Sequence, residues 1–186
     1  YTIASLYVRF VLEQGYLPIP SSQWHAGDLT LSTTAFATGP GGAATLFIRY
    51  RITNSSQAAR PVRLFAAIRP FQVTPTWQNW EKFGGVSQIN ELAYESGIVW
   101  VNRHKQIIPL TAPAEFGAVI FAQGAITEYL QTGELPSQDR VNDTFGYASG
   151  ALRFDLNLPP HAAHEVFLAI PFGNVDTDTP AEPPES

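Results

Sequence analysis

The segment from position 75 to 83, "PTWQNWEKF", repeats an aromatic residue at every third position. Trp77 and Trp80 frame two amides, Gln78 and Asn79, and Phe83 follows. Aromatic rings can stack on the C–H faces of a sugar, and neighbouring amides can bind its hydroxyl groups. The residue types therefore predict either a carbohydrate contact formed by these two tryptophans and two amides, or a connector that packs against the edge of the fold or another domain.

Other residues with chemical potential have no catalytic context. The segment "HAAHE" places His161, His164 and Glu165 close together, but it follows two prolines and leads into a strand pattern, which predicts a turn and not a metal site. No Gly-x-Ser-x-Gly motif is present, and none of the carboxylates has a context that distinguishes a glycosidase acid. We therefore predict no catalytic residue, no metal and no cofactor in this chain.

Charge and composition exclude several classes of function. The net charge is −5, but four of the sixteen acidic residues lie in the last eleven positions, so the rest of the chain is nearly neutral. The absence of a basic stripe argues against a nucleic-acid partner, and the absence of a long apolar run argues against a membrane partner. Cysteine is absent, which excludes disulfides and thiolate zinc sites.

Alternation of apolar and polar residues is the main structural signal. The runs at 45–54 and 62–71 alternate with this period, and the turn-rich segment between them predicts an antiparallel pair with an apolar inner face and an arginine-bearing outer face. A hairpin through His104 is predicted next, and another hairpin is predicted from "ALRFDLNL" and "EVFLAIPF". Fifteen prolines and fourteen glycines suit many short strands joined by turns.

Two short helices are predicted among these strands. One covers "AITEYLQTG" and ends at Gly133, and the other covers "VSQINELAY". The sequence thus predicts an all-β fold, a single large antiparallel β-sandwich with one or two short helices, over residues 1–173. Residues 174–186 are acidic and rich in proline, as in a linker, and the start of the chain in mid-pattern predicts a fragment of a longer protein.

Four segments carry a resemblance to a known group of proteins: "GYLPIPSSQWHAGDLTLSTTAFA", "RPFQVTPTWQ", "WVNRHKQIIPLTAPAEFGAVIFAQG" and "FGYASGALRFDLNLPP". Together they resemble a region of large bacterial proteins that contain discoidin (coagulation factor 5/8 type C) domains and are glycoside-hydrolase-like. The resemblance spans Gly15 to Phe172. It implies a β-supersandwich like that of galactose mutarotase, followed by a helical (α/α)₆ barrel that holds the catalytic acid, in a periplasmic or secreted protein.

Three hypotheses about function follow. In the first, the chain is a non-catalytic accessory sandwich that supports the barrel of a carbohydrate-active enzyme and lines its sugar cleft. In the second, it is a carbohydrate-binding module that acts through exposed aromatic residues. In the third, it is a mutarotase-like enzyme. The expected partners are other domains of the same polypeptide and carbohydrate.

Overall fold

The computed structural model describes residues 7–71 and 86–173. They form twelve strands and one α-helix, which are β1 (Tyr7–Glu13), β2 (Leu17–Ala26), β3 (Leu29–Thr38), β4 (Thr45–Asn54), β5 (Arg60–Ile68), β6 (Glu91–Glu95), β7 (Ile98–Val101), β8 (Lys105–Pro109), β9 (Glu115–Val119), α1 (Ile126–Thr132), β10 (Arg140–Asn142), β11 (Ser149–Leu158) and β12 (Ala163–Pro171). The strands form two sheets, and the prediction of an all-β fold is confirmed. No helix in the described ranges is long and apolar enough to cross a membrane. The predicted linker at 174–186 lies outside the described residues.

The chain divides into two compact units. The first unit comprises the residues up to Val62, Ile107–Ala112 and the residues from Asp155 onward. Its sheet begins as a meander, β1-β2-β3-β4, and continues through β12 to β8. Since β12 pairs antiparallel with β4 along nine residue pairs, the last strand of the described residues closes the free edge of the meander.

One face of this sheet is polar around Arg49 and Arg51, as the alternation in β4 predicts, whereas Phe47 on the same face is buried and stacks on Phe36. Arg49 and Arg51 lie on the same face, and Glu165 on β12 is directly opposite Arg51 in the register. Each arginine forms an ion pair with this glutamate, with nitrogen–oxygen distances of 3.9 and 3.5 Å. Because the three side chains are partly exposed, these pairs contribute little to stability and leave the face polar.

The two connectors at 55–59 and 159–162 are not hairpins, and this part of the prediction is wrong. β4 and β5 lie in different sheets, and so do β11 and β12. Each connector therefore leads the chain from one sheet to the other. Apolar alternation identifies a strand, but it does not identify the strand with which it pairs.

Asn54 explains why the chain turns away at these points. Its side chain is fully buried, and Nδ2 lies 2.8 Å from the carbonyl oxygen of Ala58, 3.2 Å from that of Leu158 and 3.0 Å from that of Pro159. Its backbone N–H donates to the carbonyl oxygen of Ala162. One residue thus ties both connectors together, and every one of these contacts lies within the first unit.

The second unit comprises Arg63–Gln106 and Pro113–Phe154. It holds β7, β6 and β10 from one sheet, and β9 with most of β11 and β5 from the other. β8 follows β7 through a tight turn, so the predicted hairpin through His104 is confirmed.

The two layers of the second unit pack face to face. Tyr94 on β6 stacks on Phe116 on β9, with ring centroids 5.3 Å apart. Gly150 on β11 lies so close to Leu92 on β6 that an added Cβ atom would be 2.7 Å from the leucine Cδ2. This close contact seals a core whose fully buried apolar side chains include Leu92, Val99, Ala118, Ile126, Ala151 and Leu152.

One of the two predicted helices is present. α1 covers the first predicted segment and ends at Gly133, whose φ of 76° lies in the left-handed region that favours glycine. The second prediction is wrong, because β6 occupies that segment. Leu92 and Ala93, neighbours in β6, are both buried, and the pairing of β6 with β7 and β10 outweighs its local helix propensity.

Candidate functional site: an exposed aromatic patch

The four residues singled out in the sequence lie outside the described residues. They are Trp77, Gln78, Asn79 and Trp80, and their role in sugar contact or domain docking stays a prediction. The described ends of their connector meet in the second unit, where the N–H of Ser87 donates to the carbonyl oxygen of Phe71 at 3.4 Å.

Three exposed aromatic side chains of the second unit form what we call the aromatic patch: Phe121, Phe145 and Tyr147. Their exposed fractions are 61%, 65% and 42%. The rings of Phe121 and Tyr147 are in contact, with centroids 5.5 Å apart and an angle of 47° between their planes. Phe145 lies two residues before Tyr147, on the turn that the hydrogen bond from the N–H of Gly146 to the carbonyl oxygen of Asp143 closes. Grouped exposed aromatic residues of this kind are typical of interaction sites.

A buried carboxylate organises the backbone under the patch. Asp143 is only 4% exposed, and its side chain accepts two backbone hydrogen bonds. The N–H of Phe121 donates to Oδ2 at 2.7 Å, and the N–H of Phe145 donates to Oδ1 at 2.8 Å. A buried carboxylate is stable only when its oxygens are satisfied, so Asp143 fixes two separate segments relative to each other.

The segment 88–90 also supports the turn that contains Phe145 and Gly146. The N–H of Ile89 donates to the carbonyl oxygen of Gly146 at 2.9 Å, and the carbonyl of Ile89 accepts from Ala148 at 3.0 Å. Nδ2 of Asn90 donates to the carbonyl oxygen of Asp143 at 3.2 Å. Because the backbone is held on both sides, the aromatic rings are presented from a turn with a defined shape.

Gly146 is the position in this turn that other residues fit poorly. Its φ is 77°, and an added Cβ atom would lie 2.8 Å from Cβ of Gln88. The Gln88 side chain therefore lies against the turn that carries Phe145 and Tyr147. Gln88 places an amide beside the patch, which is the chemistry that sugar hydroxyl groups require.

A cluster of ion pairs around the buried Glu91 lies elsewhere in the second unit. Glu91 is buried, accepts a hydrogen bond from Nη1 of Arg140 at 2.7 Å, and pairs with Nε of Arg103. The hydrogen bond from Arg103 to Glu91, and then the negative charge of Glu91, raise the pKa of Arg103 above its ordinary value. Arg140 also pairs with Glu95.

This cluster borders a surface depression with a volume of about 360 Å³, which Trp100 also lines. Every acidic group at its edge is paired with a guanidinium group. The cluster therefore has the properties of a structural ion-pair network.

The "HAAHE" segment occupies a turn and the start of a strand. His161 lies in the turn with a φ of 56°, while His164 and Glu165 are consecutive residues of β12. Side chains of consecutive strand residues point to opposite faces, so His164 and Glu165 do not converge on one ion. Within residues 7–71 and 86–173, no group of three metal-ligating side chains comes together.

Comparison with known proteins adds no family. No protein-family model matches the sequence, and a search of curated proteins finds no match either.

The aromatic patch was missed in the sequence, although its parts are visible there. Phe145 and Tyr147 flank a glycine in "FGY", and Phe121 follows an apolar strand in "VIFAQG". An aromatic–glycine–aromatic segment between strands indicates a turn with exposed rings. What the sequence does not reveal is that Asp143 joins the two segments, because its carboxylate accepts a hydrogen bond from an N–H 22 positions away.

Proposed function

We propose that this chain is an accessory β-sandwich of a larger carbohydrate-active protein, and that it binds carbohydrate through the aromatic patch. The proposal combines the first two hypotheses drawn from the sequence. The observation that carries it is the pair of contacting, exposed rings of Phe121 and Tyr147, which lie on two segments that the buried Asp143 joins. A rigid aromatic surface flanked by amides suits the alternating apolar faces and hydroxyl rims of a sugar chain.

The conformational cost of binding also favours a ligand at this place. Asp143 and Gly146 fix the backbone of the turn before any ligand arrives, so little order has to be imposed when a sugar binds. Phe and Tyr side chains have only two rotatable bonds each, which further lowers this cost.

The test is direct binding of the full chain to hexasaccharides of glucose, xylose, mannose, galactose and galacturonate, measured by isothermal titration calorimetry. Phe145→Ala and Tyr147→Ala remove one exposed ring each from the patch, and we expect each to weaken binding about five- to tenfold. The matched control is Phe10→Ala, which removes a ring with an exposed fraction of 82% in the first unit. We expect it to bind as the parent does.

Two results would overturn the proposal. The first is the absence of saturable binding to every hexasaccharide. The second is an equal loss of affinity in the control and in the two patch variants, which would place the sugar elsewhere. Circular dichroism of each variant excludes loss of folding as the cause of a change in affinity.

The larger protein is the other part of the proposal, and the sequence resemblance supports it. We expect the gene to encode, downstream of this sandwich, a helical (α/α)₆ barrel with the catalytic acid, in a polypeptide exported to the periplasm or the exterior. Sequencing the gene on both sides tests this directly. A reading frame without a barrel would refute the parent-protein part and would leave sugar binding to be judged by calorimetry.

A further inference from the structure

A second depression of the second unit lies next to the aromatic patch and is lined by basic and amide side chains. Its volume is about 350 Å³. We call it the basic depression, and its lining includes Arg69, Phe71, Gln88, Asn102, His104 and Lys105.

Among the described residues that line the basic depression, the charged side chains are all cationic. Arg69 and Lys105 are both exposed at its edge, and the described residues that line it include no carboxylate. Neither cation forms an ion pair with another described residue. Two unneutralised cations facing one depression favour an anionic group on the ligand.

The wall of the basic depression that carries His104 and Lys105 is a fixed turn. Asn102 and Arg103 have φ values of 52° and 64°, and the left-handed backbone of both residues turns the chain from β7 to β8. The Asn102 side chain accepts hydrogen bonds from the backbone N–H groups of Asn90 and Glu91 at 2.8 and 3.1 Å. It also donates to the carbonyl oxygen of Gln88 at 2.9 Å. The turn is therefore tied to the segment that supports the aromatic patch.

His104 presents a defined ring nitrogen on this turn. Its Nδ1 lies 2.7 Å from the carbonyl oxygen of Asn102. Since a carbonyl oxygen only accepts hydrogen bonds, Nδ1 carries a proton and Nε2 is left for other contacts. His104 thus adds a third polar group that is oriented by the turn.

Gln88 connects the basic depression with the aromatic patch. Its side chain lines the depression and lies against Gly146, the residue between Phe145 and Tyr147. Ile89, the next residue, also lines the depression and pairs with Tyr147 in a parallel bridge. The two features are therefore adjacent parts of one surface, on either side of a single backbone segment.

We propose that the carbohydrate is anionic, and that the basic depression binds the carboxylate or sulfate group of one sugar residue while a neighbouring residue stacks on the aromatic patch. This inference rests on the proposed function and specifies its ligand class. Arg69 and Lys105 neutralise the anionic group, and Gln88 binds a hydroxyl group between the two features. The exposed ring of Phe71 adds an apolar surface on the side of the basic depression.

The experiment compares ligands that differ only in charge. The probes are a galacturonate hexamer, the same hexamer as its methyl ester, and a galactose hexamer with and without sulfate esters. We expect each charged hexamer to bind the full chain more tightly than its neutral form at 0.05 M salt, and the difference to shrink at 0.5 M salt because ions screen exposed charges. The two charged hexamers distinguish a carboxylate from a sulfate as the preferred group.

Two variants locate the charge effect. Arg69→Gln and Lys105→Gln each remove one cation, and we expect each to weaken binding of the charged hexamer about fivefold while the neutral form is unaffected. The control Arg60→Gln removes an exposed guanidinium group from the first unit, where it pairs with Asp28, and we expect no change in affinity.

The outcomes separate this inference from the proposed function. If the charged and neutral hexamers bind equally and only the patch variants lose affinity, the anionic ligand class is wrong and the proposed function stands. If no hexamer binds, both are wrong. If charge strengthens binding but the control loses as much affinity as the two variants, the anionic group does not bind in the basic depression and the inference is overturned.

Discussion

Replacement of Asn54 by alanine should destabilise the protein strongly although no ligand or ion is involved. The side chain is fully buried, and all its partners lie in the first unit. Nδ2 lies within hydrogen-bond distance of three carbonyl oxygens, and Oδ1 accepts from the N–H and the hydroxyl of Ser56 at 3.0 and 2.8 Å. Alanine removes all these bonds and leaves the buried carbonyl group of Leu158 without this donor.

The expected loss in the free energy of unfolding follows from the two hydrogens on Nδ2 and from the burial of the Asn54 side chain. Nδ2 carries two hydrogens, and each donated bond has a net value of about 1 kcal/mol, to which the cost of leaving the buried carbonyl group of Leu158 without this donor is added. The bonds accepted from Ser56 count less, because water can replace them at that partly exposed residue. We expect a loss of about 3 kcal/mol in the free energy of unfolding and a fall in Tm of about 6–12 °C.

Asn54→Asp sharpens the test. It retains an acceptor for Ser56 but places a carboxylate oxygen where the amide donated to three carbonyl oxygens. We expect it to destabilise the protein at least as much as alanine does, because a buried carboxylate oxygen that faces carbonyl oxygens is more costly than an empty site. A hydrophobic-packing explanation predicts the opposite order, since Asp fills nearly the same volume as Asn.

The measurement is urea unfolding of the full chain, followed by tryptophan fluorescence and by circular dichroism. The matched control is Asn157→Ala, an exposed asparagine of β11, which we expect to change stability by less than about 0.5 kcal/mol. An Asn54→Ala protein within 1 kcal/mol of the parent, taken as about the value of one hydrogen bond, would refute the argument that this residue holds the two connectors.

Three further predictions concern other residues. Glu91→Gln should lower the free energy of unfolding in urea by about 1–2 kcal/mol, because two guanidinium groups lose the buried charge with which they pair. Glu95→Gln, at an exposed site, should lower it by less than about 0.5 kcal/mol, and equal effects would contradict the role of burial. Gly117→Ala should lower the free energy of unfolding in urea by more than about 2 kcal/mol, because the added methyl group would overlap the carbonyl oxygen of Pro136. A smaller loss would mean that the strand can move aside. Burial raises the pKa of Tyr50 above its ordinary value, so the unfolded state ionises first and stability falls as the pH rises past about 10. In Tyr50→Phe this fall should be smaller in urea unfolding across this pH range, and an unchanged fall would refute the assignment.

The sequence predicts the strands better than their partners. The alternation in β4 and the turn before β8 depend on local residues, and both predictions are correct. The pairing of β4 with β12 depends on contacts between residues more than 100 positions apart, for which a single sequence carries no direct signal. The connector after Asn54 resembles a hairpin turn in composition, and only the buried amide contacts show that it leads to the other sheet.

The candidate site likewise depends on contacts between distant residues, for which a single sequence carries no direct signal. Exposed aromatic residues were expected, but the prediction named Trp77 and Trp80, because tryptophans beside amides are the most conspicuous aromatic residues in the sequence. The patch of Phe121 and Tyr147 depends on a carboxylate and a glycine whose roles appear only when two distant segments meet. The basic depression is likewise assembled from segments on both sides of a long connector.

The closure of β4 by β12 has a consequence for the order of events during synthesis. The hairpins of β1 to β4 connect neighbours in sequence and can form as soon as residue 54 has emerged from the ribosome. The partner of β4 ends at Pro171, so the backbone N–H and C=O groups on one edge of β4 stay unpaired until more than 100 further residues have been made. An open edge of this kind can pair with other chains, and the late strand therefore protects the nascent protein from aggregation when it arrives.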